Sequence, residues 1–128
     1  MREAILPPGS LPDRPFSPAL RDGSLLFISG QVSVDADWKT VGAGDFEAQA
    51  RQTFENLTAV LEAAGASFAN VVELTYYLVD LDDFAVLDRV RRDYLAGPPF
   101  PASTAVEVSR LLDPAWLLEV AAMAVLPA

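Results

Sequence analysis

The sequence predicts an α+β fold, in which one sheet of about six strands carries two helices on one of its faces. Two patterns lead to this prediction. From Asp45 to Gly65 apolar residues recur at helical spacing, and from Val71 to Val79 the side chains alternate as in a strand. A second helical pattern runs from Asp82 to about Tyr94. Shorter strand patterns on both sides complete the predicted order β-β-β-α-β-α-β-β.

Two short strands joined by a tight turn are predicted before the first helix. Asp22-Gly23 is a hairpin signal between a strand at 19–21 and the apolar run 25–28. We expect Gly30, just after that run, to adopt a backbone conformation closed to other residues. The preceding segment, 11–18, is rich in proline and is predicted to be irregular.

Two late strands are predicted, at 101–108 and from Leu117 onward, and Glu119 is the lone carboxylate in the second apolar run. Burying a carboxylate costs free energy unless the group is paired, so a run that keeps one suggests a chemical role. Glu119 is therefore the first candidate for a catalytic residue.

Helices on one face alone would leave the other face of the sheet uncovered. We expect that face to carry Tyr77, Val108 and the alternating series Val120, Ala122 and Ala124. An apolar face of this kind favours association with further copies of the chain.

The length of 128 residues predicts a single domain over 1–128. Its 52% hydrophobic and 21% charged residues are typical of a soluble globular protein. The N-terminus shows no signal-peptide pattern, and no run of residues approaches the length of a membrane helix. The expected location is the cytoplasm, without a membrane partner.

The chain contains no cysteine and no histidine. This composition excludes thiolate nucleophiles, Ser-His-Asp triads and metals ligated by cysteine or histidine. The acidic cluster 80–83 is the one candidate for a hard cation, but it lacks the glycine-bearing pattern of an EF-hand. We interpret it as a turn that begins a helix, and no metal site is expected.

The formal net charge is −9, from 18 acidic residues against 9 basic ones. Such a chain repels phosphates at long range, so a nucleic-acid partner is not expected. Arg89, Arg91 and Arg92 form the only basic cluster in the sequence, which we interpret as a solvated helix face or a subunit contact.

Several segments together resemble the Rid family of reactive intermediate deaminases, also called YjgF/YER057c/UK114 or endoribonuclease L-PSP. The matching segments are Ser29-Gly30-Gln31, 49–57, 63–65, 80–84, Pro101-Ala102, 106–108 and Glu119. The resemblance implies a chorismate-mutase-like fold, assembled as a homotrimer with clefts at the subunit interfaces. It also implies hydrolysis of reactive enamines and imines to keto acid and ammonia, without a metal or an organic cofactor.

Within this resemblance, Ser29, Gly30 and Glu119 match residues of the family's cleft, and Glu119 matches the carboxylate that activates water. Where deaminating members carry an arginine that binds the substrate carboxylate, this chain has Ser103. The other departures are Phe16 for a tyrosine, Asp88 for an asparagine and Ala105 for a frequent cysteine.

These departures change the charge expected for the cleft. Replacing arginine by Ser103 and asparagine by an ionised Asp88 would make each cleft about two units more negative. An ion pair to a charged ligand contributes on the order of 1.5–3 kcal/mol, so its loss should lower the affinity for an anion at least about tenfold. The sequence therefore predicts a ligand that is neutral or cationic at this end.

Each candidate residue also has a structural interpretation. Glu119 is either a general base or a structural carboxylate at a subunit interface. Ser29 and Gly30 either cradle a ligand or form a tight strand exit, and Ser103 and Thr104 are either ligand donors or ordinary strand hydroxyls.

The remaining candidates are equally open. Asp88 is either a second acid of the site or an exposed helix charge beside a neighbouring arginine. Phe16, Trp38 and Tyr77 form either an aromatic wall of the site or ordinary packing. Three functions follow: a trimeric imine or enamine hydrolase, a non-catalytic trimer that binds a small molecule or a protein, and, least supported in an acidic chain, an endoribonuclease.

Overall fold

The computed structural model describes residues 1–10 and 14–127, so residues 11–13 of the segment predicted to be irregular lie outside the described part. The strands are β1 (Arg2–Ile5), β2 (Ala19–Asp22), β3 (Leu25–Gln31), β4 (Val71–Leu78), β5 (Ala102–Glu107) and β6 (Leu118–Val125), and the α-helices are α1 (Phe46–Ala63) and α2 (Phe84–Arg91). Their order along the chain is the predicted one.

The strands form one six-stranded mixed sheet in the order β1-β2-β3-β6-β4-β5. All neighbouring pairs are antiparallel except β4 and β5, which are parallel and are connected through α2. A parallel pair needs such a crossover, because a tight turn reverses the chain. The last strand, β6, therefore lies inside the sheet between β3 and β4, and it carries Glu119.

The first helix has the bounds that its sequence predicts. The Asp45 side chain accepts a hydrogen bond from the Ala48 amide, 3.1 Å away, and so caps the N-terminus. Gly65 follows the C-terminus with a φ of 73°. The apolar face of the helix, including Phe54 and Leu57, is buried against the sheet, where α1 contacts β3 and β6.

The second helix is shorter than predicted. Asp80 accepts a hydrogen bond from the Asp82 amide, 2.8 Å away, which begins a short 3-10 helix at Leu81–Asp83. The acidic cluster is thus a turn that begins a helix, as predicted, but α2 proper covers only part of the predicted range 82–94. Neither α2 nor any other helix in the described ranges is long and apolar enough to cross a bilayer.

The prediction of which β6 residues face away from the helices was wrong. Val120 and Ala124 are fully buried, and Ala122 packs against the same core beneath the helices. Glu119 pairs with Tyr77 on the opposite face, and strand alternation places every second residue of β6 beside them. Apart from Glu119, both alternating sets of β6 are apolar, and the charge of Glu119 was the sign in the sequence of which set the helices leave uncovered.

The face without helices is nevertheless apolar, as predicted. Phe27 and Val125 are each 41% exposed there, and Met123 lies opposite Phe27 in the register of β3 and β6. Val106 of β5, which pairs with Tyr77, is 39% exposed. We refer to this surface as the open face. An uncovered apolar surface of this kind favours contact with another copy of the chain.

Candidate functional site

Glu119 lies on the open face, beside Tyr77, and its side chain is half-buried. Among the described residues, no donor forms a hydrogen bond or an ion pair with its carboxylate, and burial alone raises the pKa of the Glu119 carboxyl. An unpaired carboxylate with a raised pKa is suited to accept a proton near neutral pH.

Gly30 lies directly against this carboxylate. The pairing of β3 with β6 is irregular between Ile28 and Gln31, and Gly30 falls within that irregularity. A Cβ atom on residue 30 would overlap the Glu119 side chain. Gly30 does not have a positive φ, so the prediction of a backbone conformation closed to other residues was wrong. Glycine is needed here because the Glu119 side chain occupies the space of a Cβ.

A shallow depression opens beside Glu119. Its other walls are Arg110, Leu111 and Leu112. The Arg110 guanidinium donates hydrogen bonds to the carbonyls of Leu111 and Leu112, at 3.1 and 3.3 Å, and so fixes the loop that borders the carboxylate. The depression leaves the Glu119 carboxylate accessible to a small molecule or to water.

Gln49 of α1 positions the chain that leads into β6. Its side chain is fully buried, its amide nitrogen donates to the Ala115 carbonyl at 2.9 Å, and its amide oxygen accepts from the Leu117 amide at 2.9 Å. A third hydrogen bond runs to the Gly42 carbonyl at 3.2 Å. Glu119 lies two residues after Leu117. The buried side-chain amide of Gln49 therefore fixes the start of the strand that carries the candidate base.

Ser29 holds the segment before β2 against the end of β3. Its hydroxyl donates to the Ser17 carbonyl at 2.6 Å, and its amide donates to the Pro18 carbonyl at 3.0 Å. The hydroxyl hydrogen is therefore used within the chain, and only the lone pairs of the oxygen remain for a ligand.

Phe16 lies in a cavity of about 240 Å³ that Gly30 also lines. Trp38 forms another wall, and the Arg14 guanidinium carbon lies 4.3 Å from the centre of its ring. Tyr77, the third aromatic residue considered for a wall, lies on the open face beside Glu119 instead. Two of the three predicted aromatic residues thus share one cavity.

Ser103 and Ala105 lie on the side of β5 that faces α2, because they pair with the buried Leu74 and Tyr76 of β4. There Arg91 donates a hydrogen bond from Nη1 to Ser103 Oγ at 3.1 Å. Arg91 is a functional candidate that the sequence analysis did not select.

Of the two interpretations of the three arginines, the solvated helix face does not hold for Arg91, and the subunit contact stays a prediction. The side chains of Arg89 and Arg92 are 60% and 68% exposed, whereas that of Arg91 is 18% exposed. The spacing of Asp88 and Arg91 was the available signal, since residues three apart on a helix lie side by side.

Asp88 lies between two of these arginines. Its carboxylate contacts Arg91 at 2.8 Å and Arg92 at 3.1 Å, and hydrogen bonds from both guanidinium groups lower the pKa of the Asp88 carboxyl. Asp88 thus pairs with neighbouring helix arginines, as one of its two interpretations expects, while its role as a second acid of the site stays a prediction. One carboxylate and two guanidinium groups give this cluster a local net charge of about +1. The charge expected for a cleft between subunits stays a prediction.

Thr104 points away from the other β5 candidates. It pairs with Thr75 and is exposed, on the face opposite Ser103. Within one chain the candidates therefore form two separate groups. Gly30 lies against Glu119, whose carboxylate is on the open face, whereas Arg91 joins Asp88 of α2 to Ser103, which is exposed on the side of β5 that faces α2.

Comparisons with known proteins find relatives along most of the chain. The family model described as Endoribonuclease L-PSP matches residues 9–126. A RutC family protein of Pyrococcus horikoshii is 45% identical over 100 residues, which are 78% of this chain and 79% of the relative. A 2-iminobutanoate/2-iminopropanoate deaminase of Salmonella typhimurium is 41% identical over 91 residues, 70% of either chain. The crystal structure of RidA from an Antarctic Psychrobacter superposes with a TM-score of 0.83 at 35% identity, covering 95% of this chain and 94% of that one.

Proposed function

Because the chain belongs to the endoribonuclease L-PSP family, the Rid family that its motifs predict, we propose that it hydrolyses a reactive imine or enamine. Glu119 is the base that activates the attacking water. The observation that carries this proposal is the unpaired, half-buried carboxylate of Glu119, packed against Gly30 and open to a depression on its other side.

The reaction needs one group that both accepts and returns a proton. The Glu119 carboxylate takes a proton from water as the water oxygen bonds to the imine carbon, and the second electron pair of the C=N bond moves to nitrogen. Glu119 then returns that proton to the nitrogen. A second proton moves from the new hydroxyl to the nitrogen, and the C–N bond breaks to leave a ketone and ammonia. Neither histidine nor cysteine is required, and the chain contains neither.

The complete site, in this proposal, forms between copies of the chain. Glu119 lies on the open face and Ser103 beneath α2, so the two groups do not meet within one copy. A closed homotrimer, which the resemblance implies, covers the apolar open face and brings the two groups together from different copies.

A non-catalytic binding protein is the alternative. The observation that favours it is Ser103, which stands where deaminating members carry an arginine. In that case the protein still binds a ligand in the cleft but does not catalyse its hydrolysis.

Ammonia release decides between these functions. Imines are generated in the assay by an amino-acid oxidase acting on small, bulky and cationic amino acids, with wild type and Glu119→Gln in parallel. The hydrolase predicts faster ammonia release with wild type and a rate at the uncatalysed level with Glu119→Gln. Wild type that leaves every imine at the uncatalysed rate, or a Glu119→Gln variant that remains fully active, contradicts the proposal.

A further inference from the structure

A second cavity, of about 210 Å³, lies between α2 and β5. Apolar side chains, including Leu74, Leu95 and Phe100, form much of its lining. Its polar or charged residues are Asp88, Arg91, Arg92 and Ser103, to which Tyr76 adds a hydroxyl group. A small apolar cavity with a few convergent polar groups is the usual form of a site for a small molecule.

The Arg91 guanidinium is held in a fixed position in this cavity. Its Nε and Nη2 atoms lie 2.9 and 2.8 Å from one oxygen of Asp88, and its Nη1 atom donates to Ser103 Oγ. The guanidinium carbon lies 5.3 Å from the ring centre of Tyr76 and 5.1 Å from that of Phe84. A guanidinium has five N–H donors, and these contacts use three of them. The rest remain for a planar anion such as a carboxylate.

Tyr76 supplies an independent sign that a ligand belongs here. It lines the same cavity and is 0% exposed, and its hydroxyl has no hydrogen-bond partner among the described residues. Burial raises the pKa of the Tyr76 phenol, and the approach of the Arg91 guanidinium to the hydroxyl is the main effect that opposes it, although no hydrogen bond of normal geometry joins the two groups. Buried hydroxyl groups are normally paired, so an unpaired one beside a cavity indicates a missing partner. Ser103 Oγ accepts from Arg91, which leaves its own hydrogen to donate.

We propose that Arg91 determines specificity in this cavity by binding the carboxylate of a small apolar acid, with Asp88 and Ser103 as its positioning residues. A guanidinium from α2 thereby supplies the charge that position 103 of β5 lacks. The local positive charge stands out in a chain of net charge −9 and favours an anion. This replaces the sequence-based expectation of a neutral or cationic ligand, and its link to imine hydrolysis rests on the proposed function.

Binding can be measured without turnover. Calorimetric titrations use pyruvate, 2-oxobutanoate and the neutral ester methyl pyruvate, with wild type, Arg91→Gln, Arg91→Lys and Arg89→Gln. Arg89 is the matched control, because it lies on the same helix, carries the same charge and pairs with Glu47 away from the cavity. Circular dichroism and thermal melting establish that each variant is folded.

The proposal predicts that wild type prefers the acids to the ester, that Arg91→Gln weakens acid binding at least about tenfold, and that Arg89→Gln changes it less than about twofold. Arg91→Lys falls between wild type and Arg91→Gln, since an ammonium keeps the charge but not the forked geometry. Equal binding of acid and ester, equal binding by wild type and Arg91→Gln, or no binding of either acid overturns the inference.

The outcomes also separate this inference from the proposed function. Loss of hydrolysis in Glu119→Gln together with unchanged acid binding in Arg91→Gln overturns only the role of Arg91. Full hydrolysis by Glu119→Gln overturns the hydrolase mechanism and leaves the binding result intact. If Arg91→Gln fails to fold, Ser103→Ala provides the test, because it removes one of the three hydrogen bonds that position Arg91, and one donor to the ligand, without changing the charge. An unchanged preference for acid over ester in Ser103→Ala then overturns the inference.

Discussion

The Glu119 side chain packs directly against Gly30 and fills the position that a Cβ atom on residue 30 would take. The two residues lie on strands that neighbour each other in the sheet but are far apart in the chain. Glycine at position 30 therefore fixes where the candidate base can lie. The first prediction tests this dependence.

Replacing Gly30 by alanine should impair the site more than the fold. The added methyl forces the Glu119 carboxylate to move, and a misplacement of about 1 Å costs on the order of 100-fold in rate. Ammonia release from imines measures the effect. Gly44→Ala is the control, because its methyl meets nothing within 4 Å, although the φ of 77° there costs some stability. Similar activity in the two variants would contradict a role for the close contact.

Glu119→Gln should raise stability at neutral pH while it abolishes hydrolysis. A carboxyl whose folded pKa is raised by burial binds protons more readily in the folded than in the unfolded protein. Stability is therefore lost as the pH rises from the unfolded value of about 4.3 through the folded pKa. Thermal melting between pH 4 and 8 should show this loss in wild type, and it should be smaller in Glu119→Gln. A variant that is less stable than wild type at pH 7 would mean that the carboxylate has a partner.

The acid limb of the pH–rate profile should reflect the same group. Hydrolysis needs ionised Glu119, so kcat/KM should fall as the pH drops through a pKa above that of an ordinary glutamate. Initial rates across a pH series, with the coupling oxidase in excess, measure the midpoint. A rate that stays constant down to the ordinary glutamate pKa would assign the base to another group.

Gln49→Leu should destabilise the fold by about 2–4 kcal/mol, because it removes a fully buried amide and leaves the Leu117 amide and the Ala115 carbonyl without their partner. Urea unfolding measures the difference. Gln52→Leu on the same helix is the control, since among the described residues the Gln52 side chain bonds only to the Asn56 side chain, at 2.9 Å. Equal free energies of unfolding in the two variants would show that the buried amide does not hold the start of β6.

Moving the guanidinium from position 91 to position 103 should preserve acid binding. Ser103→Arg alone places two guanidinium groups within contact of each other and should not strengthen the binding of pyruvate. The double variant Ser103→Arg with Arg91→Ser should bind pyruvate better than Arg91→Ser alone. Calorimetric titration compares the three variants. A Ser103→Arg single variant that binds about tenfold more tightly than wild type would show that Arg91 does not serve this anion.

Phe27→Asp should reduce the assembly to single chains, because it places a charge in the open face opposite Met123. Light scattering after size-exclusion chromatography measures the mass. Leu81→Asp is the control, since Leu81 is 44% exposed in the short 3-10 helix before α2. A wild type of single-chain mass, or a Phe27→Asp variant that stays associated, would contradict assembly through the open face.

The sequence by itself determined the elements and their order. Helical and strand periodicities, the Asp45 cap, the glycine after α1 and the turn at Asp80 are local signals, and each is confirmed at its predicted place. Family membership was equally accessible, because the motifs that carry it are short runs of neighbouring residues. Glu119 was found as a lone charge in an apolar run, and the structure leaves its carboxylate without a partner in the described residues.

Only the tertiary structure decided which side of each element is buried and which side chains meet at the candidate site. Apart from Glu119, both alternating sets of β6 are apolar, and packing against the helices selects Val120 and Ala124 for burial. The need for glycine at position 30 comes from a side chain on another strand. Arg91 looks like its exposed neighbours in the sequence, yet it turns inward because Asp88 and Ser103 receive its hydrogen bonds. Apart from the Asp88–Arg91 pair, which lies within α2, these are contacts between separate elements, and periodicity along one element carries no information about them.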